Sequence, residues 1–177
     1  MSLKVSVYIA TSLDGFIARK NGDIDWLPTP TEGGEDFGYA DFMSTVDTIV
    51  MGRNTFEKVL TFGGWPYDKK VIVLTSRDLS LPPNLIDKVE SLHLSPRKLI
   101  HELELRGIRH IYLDGGVTIQ RFIQEGLVNE LTLTTIPILI GEGLPLFGAL
   151  KKDVPLELIH ATSFTNGFVQ KKYVIPT

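Results

Sequence analysis

The sequence contains no cysteine in its 177 residues. This absence excludes disulfides, thiolate metal sites, thiol nucleophiles and the cysteine-dependent zinc site of nucleobase deaminases. Neither charge is in large excess, since 18 lysines and arginines accompany 21 aspartates and glutamates. Nucleic acid is not an expected partner, because neutralising its phosphates requires an extended basic surface. The four histidines, at positions 93, 101, 110 and 160, lack the spacing of metal ligands, and we expect no bound metal.

Long apolar runs are also missing. Nowhere does the sequence reach the roughly 18 apolar residues of a membrane-spanning helix. The first residues form a strand-like run without the basic and apolar regions of a secretory signal, so we expect a cytoplasmic protein without membrane contact. We find no linker, repeat or low-complexity tract, and 43% of the residues are hydrophobic. Residues 1–177 are therefore predicted to form one domain.

Short apolar runs alternate with helical spacings along most of the chain. Because parallel strands need crossover connections, this alternation predicts a three-layer αβα fold with a mostly parallel central sheet. The tail differs, since Thr165-Asn166-Gly167 lies between two alternating runs and Asn-Gly is a strong hairpin signal. We therefore predict an α/β fold whose mixed sheet ends in an antiparallel hairpin. Strands are expected near residues 5–9, 48–51, 71–74 and 108–113, and helices near 37–46, 96–106 and 117–125.

Three predicted strands end in glycine or small polar residues, at the edge where open α/β sheets bind ligands. Gly52-Arg53-Asn54-Thr55 combines a glycine, free helix-start amides and a guanidinium suited to phosphate. Asp114-Gly115-Gly116-Val117-Thr118 leaves room for a pyrophosphate before a helix. Thr75-Ser76-Arg77 has a cation where an NAD-selective fold places an acid, which favours a 2′-phosphate.

Each of these motifs also has a purely structural alternative. Arg53 could be a solvated residue of a first helical turn, and the paired glycines could serve only a turn with positive φ. Thr75-Ser76-Arg77 could be a plain polar turn, and the neighbouring Asp78 would weaken a phosphate site.

Acidic residues near the first turn are candidates for the substrate side. Asp14, Asp23 and Asp25 could supply a proton or bind a ribose hydroxyl if a pocket desolvates them, although Asp-Gly is also an ordinary turn pair. Residues 19–35 are rich in proline, glycine and acids, which predicts a surface loop. Its Trp26 either walls a planar ligand or packs the loop onto the body.

Six segments, in this order along the chain, resemble the dihydrofolate reductase superfamily. Each segment is weak alone, but together they are specific for the superfamily, and the last points to the branch with the reductase domain of the bifunctional riboflavin-biosynthesis enzyme. The resemblance implies the dihydrofolate-reductase-like fold, NADPH, a small-molecule substrate and a homodimer. Residues 136–147 are a candidate dimer contact or, equally, a buried loop. The segments are residues 12–18, 22–26, 51–57, 73–77, 113–116 and 137–147.

The resemblance also implies where each part of NADPH binds. The glycine turn at Gly52 would lie near the adenosine phosphates, the threonine-serine turn at the 2′-phosphate, and the glycine pair under the pyrophosphate through a cis peptide bond. The end of the first strand would line the nicotinamide. The cofactor residues in this prediction are Ala10, Thr11, Gly52, Arg53, Thr55, Thr75, Ser76, Arg77, Gly115, Gly116, Val117 and Thr118.

On the substrate side the sequence departs from folate reductases. Those enzymes place an acid on the first long helix, and aligning Phe42 and Met51-Gly52-Arg53 with their pattern puts Gly38 near that position. Asp36 and Asp41 flank it without matching, and with Asp14 and Trp26 they are the substrate-side candidates. Folate reduction is therefore disfavoured.

These features predict an NADPH-dependent reductase of a small heterocyclic or ribosylamino-pyrimidine substrate, similar to 5-amino-6-(5-phosphoribosylamino)uracil reductase. The deaminase half of the bifunctional enzyme is missing, so at most the reductive step is expected. Dihydrofolate reductase and a non-catalytic NADPH-binding protein are the alternatives. The sequence identifies neither the physiological substrate nor the proton donor.

Overall fold

The computed structural model describes residues 2–28 and 34–176; residues 29–33 of the predicted loop lie outside this description. An eight-stranded sheet has the order β5-β4-β3-β6-β1-β7-β10-β9, and β2 and β8 form a separate pair. The strands are β1 (Lys4–Ser12), β2 (Phe16–Ala18), β3 (Thr48–Gly52), β4 (Lys70–Leu74), β5 (Val89–Leu92), β6 (His110–Asp114), β7 (Glu130–Ile136), β8 (Leu144–Pro145), β9 (Glu157–Ser163) and β10 (Val169–Val174); the helices are α1 (Tyr39–Ser44), α2 (Arg53–Val59), α3 (Pro96–Leu105) and α4 (Gly116–Gln124).

Six neighbouring strands of the sheet, from β5 to β7, are parallel. Only β10 breaks this pattern, because it pairs antiparallel with both β7 and β9. The turn between β9 and β10 contains Asn166 and Gly167, as the Asn-Gly signal predicts, and Gly167 has φ 88°. The mixed, mostly parallel sheet with an antiparallel hairpin is confirmed.

Apolar residues cover both faces of the sheet. Ile49 and Met51 of β3 pack with Phe56 of α2 on one face. Val50 points to the opposite face and packs with Leu99 of α3 and other residues of the second core. A strand buried on both faces has a continuous rather than an alternating apolar run. This burial explains why apolar residues follow one another without alternation in residues 48–51. The three-layer architecture follows from these two cores.

Two of the three predicted helices have the expected extent, and α1 is shorter. The left-handed backbone of Phe37 (φ 57°) and Gly38 (φ 84°) delays the start of α1 to Tyr39. Gly107 has φ 79° and follows the end of α3, where the sequence predicts a glycine cap.

Within residues 2–28 and 34–176, none of the helices combines the length and the apolar character needed to cross a membrane. In the same ranges no three histidine or acidic side chains cluster as a metal site would require.

Candidate active site

A groove of about 870 Å³ lies beside the carboxyl ends of β3, β4 and β5, alongside helix α4. Five of the predicted cofactor residues line this groove. The turns after two different strands and one helix thus converge on one site, as expected where parallel strands end together. The five residues are Arg53, Thr75, Ser76, Arg77 and Thr118.

The groove is strongly cationic. Besides Arg53 and Arg77, it is lined by Lys98 of α3 and Arg121 of α4, which the sequence analysis missed. The one acidic side chain in the lining is Glu125, whose carboxylate is 3.4 Å from the guanidinium of Arg97. Four cations facing a partly neutralised acid create a positive potential, and this potential favours a ligand with several phosphate charges.

Lys98 lies in the first turn of α3, where the helix dipole disfavours a cation. A lysine at that position, two residues after the first helical residue Pro96, is a sequence signal that could have indicated an anion site. Arg121 gives no comparable signal, because its sequence position in the middle of α4 does not reveal which way it faces.

Arg53 holds two turns together at the groove. Its Nε donates a hydrogen bond to Oε1 of Glu57 at 2.7 Å, and Nη1 donates to the backbone oxygen of Asp78 at 3.0 Å. The side chain remains 24% exposed. Asp78 is exposed, and its side chain is not among those that line the groove.

The turn after β4 is organised by Thr75. Its hydroxyl accepts a hydrogen bond from the amide of Arg77 at 3.2 Å, which closes a short side-chain turn. This turn leaves Ser76 and Arg77 exposed in the groove. The end of β4 therefore presents a hydroxyl and a cation, and no acid of the groove lining lies at this position.

The glycine turns after β3 and β6 interlock at the edge of the groove. A Cβ on Gly115, whose φ is 93°, would lie 2.5 Å from Oγ1 of Thr55, and a Cβ on Gly52 would lie 2.8 Å from Oγ1 of Thr118. Both glycines are thus required by packing, before any ligand is considered. The cis Gly115–Gly116 bond implied by the resemblance is wrong, since the described chain has no cis peptide bond.

The end of β1 carries the predicted nicotinamide position and lies outside the groove lining. Ala10 is in register with Thr134 of β7, and Thr134 is in register with Gln170 of β10. Ala10 also packs against the cluster of Trp26, Ile136 and Phe168. The predicted nicotinamide position therefore has a small side chain on one strand and a buried indole next to it.

Trp26 and Thr11 are both largely buried, at 8% and 7% exposure. In the described ranges, the indole Nε1 of Trp26 has no hydrogen-bond partner. Val117, in contrast, is exposed in the first turn of α4. Their roles toward a ligand remain predictions.

Asp14 is hydrogen-bonded to the loop that contains Ile140 and Gly141. Its carboxylate accepts hydrogen bonds from Oγ of Ser12 at 2.6 Å and from the amide of Gly141 at 2.8 Å, with a longer one from Ile140. The hydrogen bond from Ser12 and those amides lower the pKa of Asp14. An ionised clamp of this kind is poorly suited to donate a proton.

The carboxylate of Asp36 also stabilises the backbone around it through hydrogen bonds. Its carboxylate accepts the amides of Gly38 at 2.9 Å and Ala40 at 3.0 Å at the start of α1, and these bonds lower its pKa. Asp41 is exposed on α1. Both remain substrate-side candidates by position only.

The predicted loop acids pair with cations. Asp23 is 2.5 Å from Nζ of Lys58, and this bond docks the loop on α2 and lowers the pKa of Asp23. Asp25 is 2.5 Å from Nε of Arg19. Both carboxylates are thus engaged at the surface of the loop.

Asp114 is the acid that sequence reasoning missed. Burial at the end of β6 raises the pKa of Asp114 to about 6, only partly opposed by the amide of Gly115. Val7 and Leu113 are register partners, so Tyr8 and Asp114, each one residue further on, share the opposite face of the sheet. Ala10 lies on that same face. A carboxyl group that can hold a proton near neutral pH therefore lies on the same sheet face as the predicted nicotinamide position, one strand away.

The sheet order, the antiparallel hairpin and the groove at the strand ends define an α/β protein with the dihydrofolate reductase fold. The chain belongs to the family of the RibD C-terminal domain, whose model matches residues 3–170.

Similar proteins agree with this assignment. The protein YwjB of Bacillus subtilis is 38% identical, with 98% of this chain and 99% of that protein covered. A Shewanella sp. PV-4 structure, assigned provisionally to riboflavin biosynthesis, has a TM-score of 0.93 and 40% identity over the full length of both chains. Dihydrofolate reductase of Enterococcus faecalis, solved with NADP(H), has a TM-score of 0.69 and 17% identity over the full length of both chains, which shows the shared fold.

Proposed function

We propose that this protein is an NADPH-dependent reductase of a small heterocyclic or ribosylamino-pyrimidine substrate, in the manner of 5-amino-6-(5-phosphoribosylamino)uracil reductase. The observation that carries the proposal is the cationic groove, in which Arg53, Arg77, Lys98 and Arg121 face one paired acid. NADH has two phosphate groups, whereas NADPH adds a third on the ribose, so a groove with several cations favours the phosphorylated cofactor.

The residues of the groove fit this cofactor. The interlocked glycine turns bring backbone amides to the sheet edge without a Cβ between them and a ligand. Ser76 and Arg77 occupy the strand end where a 2′-phosphate would be bound. Membership of the RibD C-terminal domain family and the fold shared with an NADP(H)-bound reductase support the same cofactor.

When bound, NADPH supplies the hydride. The chain's own task is to hold an acceptor carbon next to Ala10 in a reactive geometry and to exclude water. Adding hydride to an imine carbon leaves a nitrogen that must take a proton. Asp114, with its raised pKa, is our candidate for holding that proton.

Two experiments test the proposal. Calorimetric titration of the protein should show NADPH binding roughly tenfold or more tightly than NADH, because only NADPH brings a 2′-phosphate to the cations of the groove. Stopped-flow oxidation of NADPH should then be faster with the ribosylaminopyrimidine intermediate than with dihydrofolate.

No heat and no thermal shift with millimolar NADPH would refute the proposal. Binding of NADPH without turnover of any substrate would instead identify a non-catalytic NADPH-binding protein.

A further inference from the structure

Helix α1 is short, and none of its six described residues is buried. A helix of this length does not persist in water, because its first turn costs more conformational entropy than its hydrogen bonds return. Contacts at its two ends must therefore fix α1 to the sheet. At the start, the Tyr8 hydroxyl of β1 donates to the carbonyl of Phe37, and the Tyr8 ring stacks on Phe42 with ring centroids 4.8 Å apart.

The side chain of His110 on β6 holds the other end of α1. Its Nδ1 lies 2.9 Å from the carbonyl oxygen and 3.2 Å from the hydroxyl of Thr45, the C-cap residue of α1. Its Nε2 lies 2.8 Å from the hydroxyl of Ser6 on β1. The imidazole also packs edge to face against Phe42, with ring centroids 6.0 Å apart. One side chain thus connects the helix end to two strands.

The groups around the imidazole fix its tautomer. A backbone carbonyl can only accept, so Nδ1 must carry the proton that is donated to Thr45. In the neutral ring Nε2 then has a lone pair, which accepts the hydrogen of the Ser6 hydroxyl. His110 is 8% exposed and Ser6 is 1% exposed, and Ser6 has no second side-chain hydrogen bond within residues 2–28 and 34–176. A proton on Nε2 would therefore leave the buried Ser6 hydrogen without an acceptor.

Two acids lie near the imidazole, but both are already engaged. Oδ2 of Asp47 accepts the two backbone amides at the start of β6, at 2.8 and 2.9 Å. The carboxylate of Glu130 lies 2.9 Å from Nζ of Lys4 and 3.3 Å from Nζ of Lys172. Neither carboxylate hydrogen-bonds to the ring in the part of the chain that the structure describes. An imidazolium would thus be buried without a paired counter-ion.

The other titratable groups around the ring do not compensate for this burial. Tyr8 and Tyr112 are neutral, because burial raises the pKa of both phenols. Asp41 of α1 and Arg109 are exposed, so water and salt screen their charges. Burial is the largest influence on the imidazole, and it lowers the pKa of His110 below its ordinary 6.5, with partial opposition from the hydrogen bond to the helix end.

We propose that Ser6, His110 and Thr45 form a latch that fastens the end of α1 to the sheet at neutral pH and releases it in mild acid. Release lets water reach the imidazolium and removes the cost of burying it. The helix yields before the strands, because β1 and β6 are each paired on both sides within the sheet, whereas α1 has no buried residue.

The direction of the pH effect follows from the unfolded state, which binds the proton more tightly than the latched protein does. The contribution of the latch to stability is therefore complete above about pH 6.5 and is lost as the pH falls. Two substrate-side candidates are attached to this helix, since Asp36 accepts amides at its start and Asp41 lies on it. The latch would thus make that side of the protein sensitive to pH.

Hydrogen exchange of the whole protein tests the latch. Mass spectrometry follows peptides that cover residues 37–46 at about pH 7.5 and about pH 5.5, with correction for the intrinsic pH dependence of amide exchange. We expect protection of these peptides to fall by roughly three- to thirtyfold at the lower pH, while α3 and α4 keep theirs. The comparison is local because Asp114 changes global stability in the opposite direction. Equal protection of α1 at both pH values would overturn the inference.

Nitrogen NMR of the wild-type protein with labelled histidine gives a second readout. At neutral pH the proton of His110 should reside on Nδ1, and the ring should titrate with a midpoint below 6.5. A proton on Nε2, or a midpoint above 6.5, would contradict the latch.

A variant removes the titration without removing the donor. In His110→Gln the amide can still donate to the Thr45 carbonyl but takes up no proton, so the pH response of α1 should disappear. His101→Gln, at an exposed position on α3, is the matched control and should keep the response. The reverse pattern would refute the latch, and the two wild-type measurements decide if His110→Gln does not fold. None of these readouts requires NADPH, so the latch and the proposed function can fail independently.

Discussion

At the scale of single residues, Arg53 both stabilises the turns at the groove and places a positive charge in its lining. Replacing it with alanine removes the bonds to Glu57 and to the Asp78 carbonyl together with one of four cations. We expect Arg53→Ala to weaken NADPH by on the order of 1.5 to 3 kcal/mol and to leave NADH nearly unchanged, measured by calorimetry. Lys88→Ala, an exposed lysine outside the groove lining, is the charge-matched control. Equal losses for both cofactors would show that Arg53 does not read the 2′-phosphate.

Asp114 gives a second prediction at this scale. Its pKa is about 6 in the folded protein and 3.8 in an unperturbed carboxyl group. The folded state therefore binds the extra proton, and this contribution to stability is lost as pH rises from about 4 to about 6. Asp114→Asn has no carboxyl group to titrate and therefore does not lose this contribution. The difference in free energy of unfolding, variant minus wild type, should rise by roughly 2 to 4 kcal/mol between pH 4 and pH 7. Urea denaturation across this pH range measures the difference.

The same substitution reports on catalysis. If Asp114 holds the transferred proton, kcat of the wild-type protein should fall above pH 6, and Asp114→Asn should be slow at every pH without a change in NADPH affinity. A pH profile of the variant that matches the wild type would exclude Asp114 as the proton donor.

At the scale of elements, the glycine turns after β3 and β6 act as one interlocked unit. Gly115→Ala introduces a Cβ 2.5 Å from Thr55 at φ 93°, and either effect is unfavourable. We expect a loss of about 1 to 3 kcal/mol in the free energy of unfolding and weaker NADPH binding. Gly64→Ala, in open space without positive φ, should change stability by less than about 0.5 kcal/mol. Similar losses for both, measured by denaturation, would contradict the interlock.

The elements also show what a sequence can predict about this site. The strand ends at Gly52 and Thr75 were predictable, because local apolar runs and glycines mark them. The hydrogen bond between Gln170 and the Tyr8 hydroxyl was not predictable, since 162 positions separate the two residues and only the order of the sheet brings them together. The raised pKa of Asp114 arises from burial, which no local pattern reveals. Local signals thus located the strand ends that line the groove, whereas long-range packing determines the surroundings of Tyr8 and Asp114.

At the scale of the whole molecule, β9 is one of the two edge strands of the main sheet. Strand β9 pairs only with β10, and Leu158 and Ile159, which point to opposite faces, are each 56% exposed. In the candidate contact 136–147, Leu139 and Phe147 are also exposed, while Ile136 and Leu146 are buried. Exposed apolar edge strands tend to pair with another chain, so we propose that β9 forms the contact of a homodimer.

Sedimentation velocity tests this proposal. The wild-type protein should sediment as a dimer, and Ile159→Lys should yield a monomer because a charge on the edge opposes strand pairing. Ile86→Lys, at an equally exposed position away from β9, should remain dimeric. A monomeric wild-type protein would rule out the contact.

The position of β10 between β7 and β9 has a consequence for biosynthesis. Every strand and helix that lines the cationic groove precedes residue 126, whereas β9 and β10 come later in the chain, and β10 pairs with β7. During synthesis, a nascent chain that has reached residue 126 therefore already contains every residue that lines the groove. The hairpin of β9 and β10 is made last and adds the antiparallel part of the sheet.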